Sequence, residues 1–436
     1  MIVLNVACYY GLTIDSMDIG AAFLEATLKD NEIYVTLDQE IVKFLLERYS
    51  EYSKYRRDNG TILVKLLKAM YGLKEASRAW FLHLSNILTT IGYKQSHVNP
   101  ALFTKLMEDG TPHVVIVYVD DILSVGKRNY VDQFFLQMQT QVTSIKRTIS
   151  NGEISYLGLL LQYDMVKKQI FISQPGFVKD IINTTKIENQ TRTTPAEADV
   201  NEVDKSSELF ENPKEFRSLL MKLMFATKTR PDIKFVIVFL STRMQNPTKE
   251  DWKKLLHVAM YLNGTQDYGI MIKPNSLELI AYADASFATY KLDSKGHTGV
   301  VFCFGEDNTP IFTSSRKQTF VCSSSTEAEI LAVHSAITQL DVTIAIIKEI
   351  LGTLMIQNDF VIFEDNKSTI EILTKSSTDF SSKKHLMVKY HYVKQELETK
   401  RFNLIYKSSE EHLADGFTKQ LNGGQQSSKL RKHRRR

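Results

Sequence analysis

Cysteine, proline and glycine are all scarce in this chain, which has 3, 9 and 19 of them among 436 residues. Cys8, Cys303 and Cys322 show no CxxC spacing and are too few for a disulfide framework. We therefore expect a reducing, intracellular compartment, either cytoplasmic or nuclear. The low proline and glycine contents argue against long disordered regions.

The apolar start, MIVLNVACYYGLTID, has no basic flank and is too short to span a bilayer. It predicts a buried helix, and we expect no membrane partner. Positive charge is concentrated at the other end, because the last eight residues, KLRKHRRR, carry six Lys or Arg of a chain whose net charge is +4. The rest is close to neutral, so any surface there that binds nucleic acid has to be a local patch.

The length exceeds what one compact core usually holds and predicts two or three domains. Strand-like and helix-like patterns are mixed over 1–125, a polar stretch at 185–213 predicts a linker, and a new unit begins near Leu277. That last unit has several strands followed by alternating helices and strands. This order predicts an α/β fold with helices on a mixed sheet.

The stretch VVIVYVDDILSV, residues 114–125, places two adjacent carboxylates inside an apolar run. Neighbouring side chains on a strand point to opposite faces, so Asp120 and Asp121 can approach one ion only at a turn. The apolar runs on both sides predict a hairpin with the pair at its tip. With Asp18, which ends another apolar segment, the pair would suit Mg²⁺ and phosphoryl transfer. The alternative is a solvated turn, which favours Asp in any case.

Four further acids stand at predicted strand ends and helix starts: Asp284, Glu329, Asp365 and Asp415. Acids in these positions can converge on a hydrolytic centre with two metal ions. The alternative is that they cap helices and end strands without a chemical role.

Taken together, several collinear blocks resemble the reverse transcriptase and RNase H region of copia-type LTR retrotransposon Pol polyproteins. The resemblance extends from about residue 1 to residue 420, and its most specific blocks are SMDIGAAFLEATLKDNEIYV, KLLKAMYGLKEASRAWF, VYVDDILSVG, AYADASFA, SSSTEAEI, EDNKSTI and HLADGFTK. It implies a polymerase palm with partial fingers over 1–175, a thumb and connection region over 176–275, an RNase H-like domain over 276–420 and a basic tail over 421–436.

The resemblance also implies roles. Asp18, Asp120 and Asp121 match the polymerase metal ligands, and Asp284, Glu329, Asp365 and Asp415 match the RNase H acids. Glu329 is preferred to Glu327, which would be a solvent-facing neighbour. Each centre would hold two Mg²⁺ or Mn²⁺ ions. The implied partners are an RNA template, a DNA primer, an RNA–DNA hybrid and dNTPs.

Phe23 matches the aromatic residue beneath the incoming nucleotide sugar, where its bulk would exclude a 2′-hydroxyl; a plain core role is equally open. Basic residues should line the track of the hybrid. The candidates are Arg78, Lys222, Arg230, Lys384 and Lys389. His412 lies three residues before Asp415 and either approaches the RNase H centre or caps a helix. The basic tail either binds nucleic acid, directs nuclear import or has no role.

Some departures weaken the polymerase assignment. The family's fingers begin upstream of residue 1, which implies an N-terminally truncated polymerase. Glu75 and Ser77 replace the family's Gln and Pro, and Ala26 replaces a Gly. If that Gly serves a turn with positive φ, Ala26 would strain the backbone there. We therefore expect the RNase H activity to be better preserved than the polymerase. The rival interpretation is a catalytically silent remnant, at most a nucleic-acid-binding module.

Overall fold

The computed structural model describes residues 1–28, 32–164, 166–197, 200–203, 206–352, 360–375 and 384–421, without the side chain of residue 385. The predicted basic tail therefore lies almost entirely outside the described residues. The chain forms two compact units. The smaller unit contains 15–124 and 128–148, and the larger unit contains 1–14, 125–127 and the described part of 149–436.

The helices are α1 Ile2–Tyr10, α2 Ala22–Glu25, α3 Gln39–Arg48, α4 Ala76–Thr90, α5 Arg128–Gln139, α6 Pro175–Thr185, α7 Pro213–Ala226, α8 Lys234–Ser241, α9 Lys249–Gly264, α10 Ser325–Leu351, α11 Lys367–Thr374 and α12 Lys384–Glu398. The strands are β1 Thr13–Ile19, β2 Tyr34–Leu37, β3 Ile62–Lys65, β4 Lys94–Gln95, β5 Leu102–Leu106, β6 Pro112–Tyr118, β7 Asp121–Gly126, β8 Ile145–Thr148, β9 Glu153–Tyr156, β10 Leu159–Asp164, β11 Gln169–Ser173, β12 Ile270–Ile272, β13 Leu279–Tyr290, β14 Lys295–Phe304, β15 Thr309–Lys317, β16 Phe360–Glu364 and β17 Phe402–Tyr406.

The smaller unit is built on a six-stranded sheet with the order β4-β5-β6-β7-β1-β8. Its core contains the apolar face of α4, including Trp80 and Leu84, packed with buried residues of the strands. Residues 77–92 carry apolar side chains at helical spacing, which predicts a helix that stops at Gly92. The structure confirms it as α4 over 76–90, and Gly92 follows with a φ of 93°. A left-handed glycine after the last turn is a common way for a helix to stop.

The larger unit begins with the buried helix that the apolar start predicted, α1, and includes a four-stranded sheet of order β12-β11-β10-β9. The β-rich pattern of residues 156–163 predicts one strand, but Leu157 and Gly158 adopt positive φ angles of 48° and 76° and separate β9 from β10. Helices α6 to α9 surround an apolar core of their own. A capping box of Thr248 and Asp251 starts α9.

The C-terminal part of the larger unit is a five-stranded mixed sheet of order β15-β14-β13-β16-β17. Strands β13 to β15 are antiparallel, whereas β16 runs parallel to both β13 and β17. The predicted mixed sheet with helices is therefore confirmed. Helix α10 is long and apolar enough to cross a membrane, but 56% of its most apolar stretch is buried in the protein, as in a core helix.

Candidate active sites

The adjacent acids Asp120 and Asp121 lie at the hairpin that the sequence predicted. Val119 and Asp120 connect β6 to β7, and Asp121 is the first residue of β7. Val119 has a φ of 58°, which a β-branched residue rarely adopts. The indole Nε1–H of buried Trp80 donates to the Val119 carbonyl oxygen at 2.6 Å and so stabilises this turn.

Asp18 lies on β1, the neighbour of β7 in the sheet. The amide of Ile19 donates to the carbonyl of Asp120 at 3.0 Å, which brings the two acidic segments side by side. Burial raises the pKa of Asp121, and the charges of Asp120 and Asp18 raise it further. The three carboxylates therefore lie close enough to influence one another. Among the described residues, however, they do not form a group whose oxygens all lie within 4.8 Å of one another.

Sequence reasoning missed a fourth acid on β1. Asp15 is fully buried and accepts from Arg128 Nη1 at 2.7 Å and from Arg147 Nε at 2.8 Å. Arg147 also bonds Asp132 at 2.5 Å. Because Asp15 is paired with two guanidinium groups, its role is to hold β1, β8 and α5 together.

Phe23 lies in α2 with 7% of its surface exposed, and its ring centroid is 4.4 Å from that of the exposed Tyr71. It belongs to the core, yet an exposed ring covers it, so the sugar-contact role stays a prediction. The expected strain at Ala26 is wrong. Ala26 has φ −84° and ψ 127°, an extended conformation open to any residue.

A second set of acids meets at one edge of the mixed sheet. Asp284 is on β13, Asp365 directly follows the parallel strand β16, and Glu329 is in the second turn of α10. One ligand oxygen from each lies within 4.8 Å of the others. Asp284 and Glu329 are 3% and 5% exposed, whereas Asp365 is half-buried. Among the described residues, this set and one that shares Asp284 are the clusters close enough to hold a metal ion.

The set that shares Asp284 contains His412 and Asp415, again with ligand atoms within 4.8 Å of one another. Asp415 lies in a short 3₁₀ turn, Leu413–Phe417, which packs against β13 and β14. Gly299 permits this approach. It is the direct partner of Asp284 on β14, and a Cβ there would lie 2.7 Å from the Ala414 carbonyl oxygen.

Hydrogen bonds hold these acids in position. The Thr418 hydroxyl donates to Asp284 Oδ2, and Lys419 Nζ lies 2.8 Å from Asp415 Oδ1. The Ser409 hydroxyl donates to Asp365 Oδ2 at 2.5 Å. Two hydroxyls and one ammonium therefore hold oxygens of three of these acids.

Burial dominates the electrostatics of this centre. It raises the pKa of Asp284 to about 6, partly offset by His412. Burial and the charges of Glu364, Asp284 and Asp365 raise the pKa of Glu329 well above its usual range. Oε2 of Glu329 is buried and has no hydrogen-bond partner among the described residues. Buried oxygens that water does not reach are suitable ligands for hard divalent cations, so the residues fit Mg²⁺ or Mn²⁺.

Glu364 is an acid that sequence reasoning missed. It is fully buried, its Oε1 accepts from the Asn366 amide at 3.1 Å, and burial raises its pKa well above the ordinary value. The doublet Glu364-Asp365 at the end of an apolar strand was the available signal, since it repeats the pattern of Asp120-Asp121.

Glu329 has an oxygen in the cluster with Asp284 and Asp365, and its catalytic role stays a prediction. The expectation that Glu327 faces solvent is wrong. Glu327 is 6% exposed, and its Oε2 accepts from the Ser323 amide at 2.6 Å and the Ser323 hydroxyl at 2.8 Å. Its carboxylate therefore stabilises the start of α10, where backbone N–H groups need acceptors.

Comparison with known proteins supports the resemblance. Residues 1–198 match the family described as reverse transcriptase (RNA-dependent DNA polymerase). The Retrovirus-related Pol polyprotein from transposon RE2 of Arabidopsis thaliana is 30% identical over 96% of this chain and 27% of its own length. The corresponding polyprotein from transposon TNT 1-94 of Nicotiana tabacum is 25% identical over 96% of this chain and 30% of its own length.

The chain belongs to the copia-type retrotransposon Pol family. It spans about a quarter of the length of these curated relatives, 27% for RE2. A foamy viral protease-reverse transcriptase solved in complex with dsDNA has a similar fold, with a TM-score of 0.51 at 14% identity, covering 91% of this chain and 68% of that one. The fold is thus that of a reverse transcriptase followed by an RNase H-like mixed sheet. We call Asp18, Asp120 and Asp121 the polymerase acids, and Asp284, Glu329, Asp365 and Asp415 the RNase H acids.

The basic residues expected along a hybrid track differ in their placement. Arg78 and Lys384 are exposed, as a nucleic-acid contact requires. Lys222 Nζ bonds Asp180 at 2.9 Å, and Lys389 lies over the Phe320 ring at 5.1 Å. These two lysines are already engaged by protein groups, and their role on nucleic acid stays a prediction.

The prediction for Arg230 is contradicted by its burial. Its side chain is 2% exposed and makes a bidentate ion pair with Asp232, with nitrogen–oxygen distances of 3.1 Å and 2.8 Å. Its Nη1 also donates to the Thr265 carbonyl at 3.0 Å. This buried guanidinium links the start of α8 to the end of α9, and it does not face the solvent from which a nucleic-acid duplex would bind.

Proposed function

We propose that this chain hydrolyses the RNA strand of an RNA–DNA hybrid at the RNase H acids. The observation that carries the proposal is the convergence of Asp284, Glu329 and Asp365, from two strands and a helix, with ligand oxygens within 4.8 Å. Three buried or half-buried acids at such distances repel each other without a cation, so they favour a metal-binding role over a capping role. Family membership agrees with this assignment.

In the proposed reaction a water oxygen bonds to phosphorus while the bond to the leaving sugar oxygen breaks. Bound Mg²⁺ or Mn²⁺ would supply an activated water and neutralise charge on the phosphate. Asp284 belongs to both ligand groups and would hold metal together with Glu329, Asp365 and Asp415. The Thr418 hydroxyl orients Asp284, and Ser409 orients Asp365. These bonds fix the carboxylates before substrate arrives, which reduces the reorganisation needed during the reaction.

Cleavage of an RNA–DNA hybrid by the purified chain, with Mg²⁺ or Mn²⁺, tests the proposal. We expect cleavage by the wild type and its loss in Asp365→Asn, which keeps the shape of the side chain and removes its charge. Asp307→Asn is the matched control, because Asp307 is exposed between β14 and β15 of the same sheet. Absence of cleavage by a folded wild-type chain would favour the silent remnant or a nucleic-acid-binding module.

A second candidate activity is RNA-directed DNA synthesis at the polymerase acids, with an RNA template, a DNA primer and dNTPs. The mutual influence of Asp18, Asp120 and Asp121 and the family match over 1–198 favour it. We expect weak or no primer extension, because Glu75, exposed at the start of α4, adds repulsion toward a triphosphate. Extension that is robust in the wild type and absent in Asp121→Asn would contradict this expectation.

Domain boundaries near 175, 275 and 420 belong to the same proposal. Limited proteolysis should cleave near these positions and spare the cores between them. We also propose a reducing location, in the cytoplasm, in virus-like particles or in the nucleus, because Cys8, Cys303 and Cys322 are all free and buried. Imaging of the tagged chain tests the location.

A further inference from the structure

His412 is the one histidine beside the RNase H acids in the described part of the chain. Its side chain is fully buried. The ring lies edge-on to Tyr282, with centroids 5.4 Å apart and planes at 85°. It immediately precedes the turn that carries Asp415, so the same backbone segment positions both side chains.

Hydrogen bonding determines which nitrogen of this ring carries the proton. Nε2 lies 3.1 Å from the carbonyl oxygen of Phe363 on β16. A carbonyl oxygen only accepts, so Nε2–H donates to it. In the neutral ring Nδ1 then holds a lone pair. Nδ1 is buried and has no hydrogen-bond partner among the described residues.

One ring nitrogen of His412 lies close to the acids, and Nδ1 is the nitrogen without a hydrogen-bond partner among the described residues. The ligand atoms of Asp284, His412 and Asp415 all lie within 4.8 Å of one another. Ligands about 2.0–2.2 Å from one divalent ion are typically separated by distances that fit within this limit. A histidine that binds metal through one nitrogen usually donates its other N–H to a carboxylate or a backbone carbonyl, and the bond to Phe363 is of this kind.

Two neighbouring groups compete for the same oxygens. Lys419 Nζ contacts Asp415 Oδ1 at 2.8 Å, and the Thr418 hydroxyl bonds Asp284 Oδ2. The Lys419 side chain is 47% exposed and can turn outward when a cation arrives. Each carboxylate also has a second oxygen, so neither contact blocks the position.

We propose that Nδ1 of His412 is a metal ligand, and that with Asp284 and Asp415 it forms a mixed nitrogen and oxygen site for a divalent transition metal such as Mn²⁺. The inference rests on the proposed function, since it describes the second cation position of the same centre. Imidazole suits transition metals, whereas Mg²⁺ prefers oxygen ligands. His412 would therefore raise the preference for Mn²⁺ over Mg²⁺ at this position.

Pulsed electron paramagnetic resonance of the full chain loaded with Mn²⁺ tests this directly. We expect modulation from a directly bound imidazole ¹⁴N in the wild type. His412→Gln keeps a donor for the Phe363 carbonyl but removes the ligand nitrogen. It should abolish the ¹⁴N signal and weaken Mn²⁺ binding, measured by calorimetry, by at least about tenfold. The control His391→Gln, at an exposed position of α12, should retain both.

The wild-type spectrum alone can overturn the inference. Bound Mn²⁺ without ¹⁴N coupling would show that His412 is not a ligand, whether or not any variant folds. A ¹⁴N signal that persists in folded His412→Gln would overturn it equally. If hybrid cleavage continues in either case, the proposed function stands without the histidine. Failure of the wild type both to bind Mn²⁺ and to cleave hybrid would overturn the two together.

Discussion

Gly299→Ala should disrupt the RNase H centre although Gly299 carries no functional group. Gly299 pairs with Asp284 across β13 and β14, and directly opposite residues of antiparallel strands project to the same face. The turn that holds Asp415 packs on that face. A new Cβ would lie 2.7 Å from the Ala414 carbonyl oxygen and 2.8 Å from Thr418 Cγ2.

These distances determine the size of the effect. Carbon atoms pack comfortably at about 3.5–4.0 Å, so the turn has to move by roughly 0.5–1 Å. Overpacking of this kind costs about 1–3 kcal/mol of unfolding free energy. At about 2.1 cal/mol/K of unfolding entropy per residue, each kcal/mol lowers the Tm of a 436-residue chain by about 1 °C. A displacement near 1 Å in a catalytic group lowers the rate by about 100-fold.

The assays are thermal unfolding, Mn²⁺ binding and hybrid cleavage. Gly176→Ala is the matched control, because a Cβ there meets nothing within 4 Å and its φ is not positive. We expect Gly176→Ala to behave as the wild type and Gly299→Ala to lose stability, metal affinity and cleavage together. If Gly299→Ala resembles the control in all three measurements, the turn does not depend on this close approach and the reasoning is refuted.

Two more predictions concern buried charge. In EDTA, Asp284 should make the free energy of unfolding fall as pH rises from about 4, its pKa in the unfolded chain, through about 6, its pKa in the folded protein. The reason is that the folded protein retains this proton to higher pH than the unfolded chain does. Melts of wild type and Asp284→Asn should converge in acid and diverge at higher pH, and equal slopes of stability against pH would contradict this. Arg230→Ala should lower the free energy of unfolding by about 3–5 kcal/mol, because it leaves Asp232 buried without its cation. Denaturant unfolding measures this, with the exposed Arg217→Ala as the control. A loss of hybrid affinity with unchanged stability would restore a nucleic-acid role for Arg230.

Sequence reasoning predicted the local features well because their causes are local. An apolar run interrupted by Asp120-Asp121 can hardly form anything but a hairpin, since burying both charges within a strand is costly. The helix over 76–90 and its stop at Gly92 follow from apolar periodicity and a left-handed glycine. Glu364 and Asp15 were missed because pattern alone does not show which acids of a strand are fully buried.

Side-chain environment was the common cause of the wrong predictions. Arg230 has the composition of a nucleic-acid contact, but Asp232 and Thr265 enclose it. Glu327 lies two residues from Glu329 and forms a cap instead of facing water. In both cases one partner lies nearby in the chain, Asp232 for Arg230 and Ser323 for Glu327. The burial of these side chains comes from packing between elements, which no short window of the sequence encodes.

The order of residues alone predicted the family, the hairpin and seven candidate acids, because these depend on residue type and on spacing along the chain. Folding decided which acids share an ion. Asp284 is more than a hundred residues away from His412 and Asp415 along the chain, yet the ligand atoms of the three lie within 4.8 Å of one another. The physical reason is that the parallel strands β13 and β16, the missing side chain of Gly299 and the carbonyl of Phe363 together orient these groups. None of these contacts follows from a short stretch of the sequence.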